Sequence, residues 1–111
     1  MNAEVQRTRW MNATRDVVHR LSMLAVDQVE YPKALGVEGS IDELGLEYDD
    51  VWPPLRKLLT PADEELRLAM EALDLALSSA SISWAAEDLE TSDWRRIREL
   101  AQNVLDVLDP S

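Results

Sequence analysis

The chain contains no cysteine and no phenylalanine, and it has a single histidine. Without cysteine there is no disulfide framework, no thiolate zinc site and no thiol nucleophile. With His19 alone, a di-iron bundle cannot be assembled, because it needs Glu-x-x-His on two helices. Glycine occurs three times, at 36, 39 and 45, so no Gly-rich phosphate cradle exists. Irregular backbone is expected to concentrate around those glycines. No apolar run approaches the roughly 20 residues that a membrane span requires. The opening stretch MNAEVQRTRWMNATRD lacks the apolar centre of a secretory signal. Together with a cysteine-free composition that fits a reducing compartment, these absences predict a cytoplasmic protein with no membrane contact.

What the chain has in excess is acid. Aspartate and glutamate number 22 against 11 lysines and arginines, a net charge of −11 over 111 residues. The excess is segregated. Residues 21–50 carry eight acids against Lys33 alone, and residues 71–93 carry six acids and no base. Residues 1–20 lean the other way, with Arg7, Arg9, Arg15 and Arg20 against Glu4 and Asp16. The densest run, residues 38–50, holds Glu38, Asp42, Glu43, Glu47, Asp49 and Asp50, with Tyr48 inside it and Trp52 just beyond. A field of one sign steers association with basic partners and repels nucleic acid and anionic membrane. Local basic faces, Arg7 to Arg20 near the start and Arg95, Arg96 and Arg98 near the end, are expected to serve the protein's own acids instead of nucleic acid.

Few glycines and abundant Leu, Ala, Glu and Arg favour helix. Three segments share one apolar spacing of alternating steps of three and four. The first is Trp10, Thr14, Val17, Leu21, Leu24, Gln28; the second Leu66, Met70, Leu73, Leu77, Ala80, Trp84; the third Trp94, Ile97, Ala101, Val104, Leu108. Such spacing puts one side chain per turn on a single stripe. Helix is therefore predicted over about residues 3–30, where Pro32 disfavours continuation. A second long helix is predicted from Pro61 to about Leu89, started by Thr60-Pro61-Ala62-Asp63, and a third from the Thr91-Ser92-Asp93 cap to about Leu108. A shorter helix is expected between Asp50 and Leu59, with Pro53 and Pro54 in its first turn. Residues 31–49 read as a long acidic loop with at most one turn, around Ile41–Leu44. The fold class is all-α: one domain over residues 1–111, an irregular four-helix bundle of three long helices and one short, with the acidic loop between the first two. The heptad-like stripes also leave room for homodimerisation.

The candidate chemistry is thin. Asp16 and His19 can share a helical face, an arrangement that suits acid–base work, but the chain offers no activated serine beside them. The acid pairs Glu71/Asp74, Glu87/Glu90 and Asp27/Glu30 each lie one turn apart, and two such pairs on facing helices can hold Mg²⁺. In spacing, and in spacing only, the first two pairs are similar to those of all-α nucleotide pyrophosphohydrolases of the MazG type, which implies Mg²⁺-dependent hydrolysis as one reading. A calcium loop fails, since Leu44 and Leu46 fall where ligands belong. No catalytic residue, metal or cofactor is assigned.

The expected function is binding. A small acidic helical module would engage a basic protein partner through Glu38, Asp42, Glu43, Glu47, Tyr48, Asp49, Asp50 and Trp52. Tyr and Trp are enriched where partners bury them, and the type of protein expected is an inhibitor such as an immunity protein or antitoxin. The acidic helical immunity proteins of nuclease colicins provide an analogy of type. The alternatives are a DNA-mimicking anti-restriction or phage inhibitor, a structural or adaptor subunit, and the Mg²⁺-dependent hydrolase.

Overall fold

A computed structural model of the chain describes residues 3–23, 27–28, 42–79 and 88–109. Among the described residues the regular structure is entirely helical. Helix α1 runs Ala3–Ser22, α2 Asp42–Arg56, α3 Glu64–Leu77 and α4 Ser92–Leu108, and a single 3₁₀ turn, Pro61–Asp63, leads into α3. Helix α1 packs against both α2 and α4, and α4 also packs against α3, while α2 and α3 meet only sparsely. The four helices form a bundle with one loosely closed side, between α2 and α3.

One cluster of buried side chains holds it together. Helix α1 contributes Val17, Val18 and Leu21, and α2 contributes Leu44, Tyr48, Val51, Trp52 and Leu55. Helix α3 adds Leu66, Met70, Leu73 and Leu77, and α4 adds Trp94, Ile97, Leu100, Ala101 and Val104. The stripes of α3 through Leu77 and of α4 through Val104 are those read from the sequence, and Ala80 lies outside the described residues. Thr14, on the stripe of α1, is fully buried and its hydroxyl has no hydrogen-bond partner among the described residues.

The largest departure is α2. It begins at Asp42, not near Asp50, so most of the acidic run is helix, and Pro53 and Pro54 sit in its last turns instead of its first. Magnitudes explain why. Leu44, Tyr48, Val51, Trp52 and Leu55 fall on one stripe and are all buried, and each such burial is worth about 1.5–3 kcal/mol. An interior proline costs about 3 kcal/mol because it leaves the carbonyl four residues back without its donor. Here those carbonyls belong to the exposed Asp49 and Asp50, where water can serve them.

Helix ends show how sequence and tertiary contacts share the work. Asp63 accepts the backbone N–H of Thr60 at 2.9 Å and its hydroxyl at 3.1 Å, half of a capping box. The same carboxylate takes a bidentate pair from Arg7 of α1 at 2.6 and 2.7 Å. Arg7's hydrogen bonds, with those from Thr60, hold Asp63 well below the usual carboxylate range. A carboxylate so depressed stabilises the fold fully above the unfolded value of about 4, and loses that contribution as pH falls toward the folded one. Asp63→Asn is accordingly expected to cost about 1–2 kcal/mol at about pH 7. The gap to wild type should narrow by about pH 2.5, as read from urea midpoints at the two pH values.

Helix α1 stops at Ser22, short of the expected residue 30, although Asp27 and Gln28 are again helical. Ser22 Oγ donates to the His19 carbonyl at 2.7 Å, and the buried side chain of Gln28 turns back to donate to the carbonyls of Leu21 (2.9 Å) and Arg20 (3.3 Å). Arg98 of α4 donates to Gln28 Oε1 at 3.2 Å and to the Leu89 carbonyl at 2.7 Å. Helix α3 stops at Leu77, well before Leu89. There the Ser78 amide bonds the Asp74 carbonyl and the Ser79 amide the Ala76 carbonyl, consistent with the serine preference for helix ends. Trp84 and Glu87 lie outside the described residues.

Candidate functional site

The acidic run divides into four fates. Glu38 lies outside the described residues. Asp42 and Glu43 open α2, and their side chains are likewise outside the description. Glu47 pairs with Arg20 of α1 at 3.0 Å, bracing two helices. Asp49 and Asp50 are exposed, and among the described residues neither forms an ion pair.

The two aromatics expected to face a partner are part of the core. Tyr48 is 1 % exposed and Trp52 5 %, and the Tyr48 hydroxyl donates to the Met70 carbonyl of α3 at 2.7 Å. The correction follows from helical geometry. Tyr48 and Trp52 are one turn apart on α2, on the stripe that also carries Leu44 and Leu55, and the acids Asp49 and Asp50 fall outside that stripe, exposed. A loop could have displayed acids and aromatics together. A helix separates them.

At the loosely closed side of the bundle, Asp49, Trp52, Pro53, Arg56, Lys57 and Asp74 line an open cleft of about 570 Å³. Asp74 comes from α3 and is half-buried. Burial pushes its carboxyl above the ordinary value, and the charges of Asp49 and Glu71 add to the effect while Arg56 opposes it. The buried Tyr48 hydroxyl is likewise pushed up, first by burial and then by Asp74, Asp49 and Glu71. Burial is the first cause of both shifts, the nearby acids add to it, and Arg56 and Lys57 also line the cleft. An acid with a raised folded value weakens the fold once it is ionised, and a bound cation would offset that cost. Asp74, like Asp49 and Asp50, forms no ion pair among the described residues.

The other candidates scatter. Glu71 is held by Arg67 at 2.9 Å, Glu90 is exposed in the turn before α4, and Glu87 and Glu30 lie outside the described residues. Among the described residues no group of three or more His, Cys, Asp or Glu could hold a metal ion, and no helix is long and apolar enough to cross a membrane. His19 and Asp16 line an open groove with Arg15, Gln102, Asp106 and Asp109, where Arg15 pairs with Asp109 at 2.9 Å. The bases of α1 do serve the chain's own acids: Arg7 with Asp63, Arg15 with Asp109, Arg20 with Glu47. Arg9 stands 5.6 Å from the centre of the Trp10 ring.

In comparisons with protein families, curated proteins and solved structures, nothing matches this chain.

Proposed function

We propose that the protein is a binding module for a basic protein partner, engaged through Asp49 and Asp50 of α2 and Asp74 of α3. The observation that carries this reading is geometric: Asp49 and Asp74 line one cleft between α2 and α3, Asp50 is exposed next to Asp49 in the chain, and among the described residues none of the three forms an ion pair. A net charge of −11 adds long-range attraction, which raises the rate of encounter with a positive surface and is screened by salt. Within this class the finer reading is an inhibitor of the immunity or antitoxin type, whose target carries a cationic site built for phosphate. Tyr48 and Trp52 have no role at the interface in this proposal; they set the position of α2.

The test is affinity capture by the tagged protein from a nuclease-treated lysate of its source cells. A stoichiometric basic protein that stays bound at low salt and elutes at high salt is expected. Its retention by a variant carrying Asp49→Lys, Asp50→Lys and Asp74→Lys would overturn the assignment of the surface.

A further inference from the structure

Helix α3 is apolar on two faces. Leu66, Met70, Leu73 and Leu77 enter the core. On the opposite side Leu68, Ala72 and Leu75 recur at steps of four and three, the spacing of a second stripe. Both leucines stand well out of the protein, Leu68 at 54 % and Leu75 at 75 % exposure. A helix apolar on two faces is ordinarily covered on both. Helix α4 covers the first face.

The chemistry around the second stripe says what would cover it. Glu64 and Glu71 lie one turn before Leu68 and Leu75 respectively, so acids border the stripe along its length. The only base of α3, Arg67, is already held by both of them. Asp74 continues the acidic border toward the cleft. A second copy of this chain would set acid against acid, with −11 on each molecule. An anionic lipid surface would be repelled in the same way.

We propose that this face of α3 receives an amphipathic helix of the partner, with apolar side chains on Leu68, Ala72 and Leu75 and lysine or arginine toward the Glu64–Arg67–Glu71 group, whose two acids share one base. The inference rests on the basic-partner reading and adds the partner's form. Apolar contact supplies selectivity for a helix, and the acidic border fixes its orientation.

The probes are two labelled synthetic peptides of about 18 residues, long enough to present four to five turns. They share one composition of Leu, Ala and Lys. One places its leucines on a single helical face and the other is scrambled. Each is titrated by fluorescence anisotropy against the full chain, against a Leu68→Ser/Leu75→Ser variant and against the Asp49→Lys/Asp50→Lys/Asp74→Lys variant, with circular dichroism confirming that each variant is helical. The patterned peptide is expected to bind wild type at least about tenfold more tightly than the scrambled one, since exposed apolar anchors dominate such contacts. That preference should vanish in the Leu68→Ser/Leu75→Ser variant. Equal binding of the two peptides, a preference that survives in that variant, or no binding of either overturns the proposal. If the two bind equally and both are lost on the charge-reversed variant, the basic-partner reading stands and only the helix-docking face falls. If sedimentation shows a dimer that the serine variant abolishes, the occupant is a second copy and the proposal is likewise overturned.

Discussion

Trp52→Ala is expected to lower the free energy of unfolding by about 3–5 kcal/mol, the usual cost of deleting a buried tryptophan. Set against the roughly 5–15 kcal/mol that holds a domain together, that loss would leave the fold marginal. The reason lies in where α2 puts the side chain. Trp52 is 5 % exposed and belongs to the core cluster with Tyr48 and Leu55, so truncation leaves a cavity where α2 meets the rest of the bundle. Trp52→Phe keeps most of the buried area and should cost far less. Urea denaturation followed by circular dichroism measures both. A loss below about 1 kcal/mol for Trp52→Ala, the range of surface substitutions, would return Trp52 to the partner-facing role that its acidic neighbours suggest in the sequence.

Gln28→Ala should be the second severe change, at about 2–3 kcal/mol, although it removes no apolar surface to speak of. The Gln28 amide satisfies the carbonyls of Arg20 and Leu21 at the end of α1, and its oxygen accepts from Arg98. Deleting it leaves the buried Leu21 carbonyl without that donor and removes a partner of Arg98, at about 1–3 kcal/mol for the buried acceptor, while the Arg20 carbonyl keeps the Met23 amide at 3.3 Å. Gln28→Glu sharpens the test. A carboxylate there keeps the bond from Arg98 but faces the two carbonyls with no proton to give. It should therefore be destabilising at neutral pH and recover part of the loss when acidified, relative to wild type at the same pH. If both variants unfold at the wild-type urea concentration, the end of α1 is held by something else.

These two residues also mark the boundary of what the sequence makes legible. The start of α4 at Ser92 and the turn before α3 are readable because their determinants are local: Thr60 and Asp63 are three residues apart, and Thr91 directly precedes Ser92, three residues before the stripe begins at Trp94. The end of α1 is not readable in that way. Its cap comes from Gln28 and, through it, from Arg98, 70 positions away, and a pairing at that distance leaves no local signature. Helix α2 is a different kind of miss. Leu44, Tyr48, Val51, Trp52 and Leu55 already carry helical spacing, but the acids, Gly45 and the Pro53–Pro54 pair read as loop. Propensity argued one way and the apolar stripe the other, and the stripe prevailed because burial of five side chains outweighs two prolines near the end of a helix. The site inherits the same correction. Asp49 and Asp50 stay available, while Tyr48 and Trp52 turn inward and Asp74 of α3 joins from a segment 24 residues on.

The outward stripe of α3 was equally present in the letters. Leu68 and Leu75 are seven apart, as are Leu66 and Leu73 of the core. Periodicity shows that a helix has two apolar faces but not which one its own chain will cover. That is settled when α4 takes the face of Leu66 and Leu73.

In the proposed interaction, acids grouped by α2 and α3, and not the overall charge, recognise the partner. This is tested most directly by capture with three baits in parallel: wild type, the Asp49→Lys/Asp50→Lys/Asp74→Lys variant, and an Asp16→Lys/Glu99→Lys/Asp106→Lys variant. The second and third have the same net charge, and the third changes only exposed residues of α1 and α4. The basic partner is expected to be retained by wild type and by the α1/α4 variant and lost by the α2/α3 variant. Equal loss from both variants, or retention by both, would contradict the proposal.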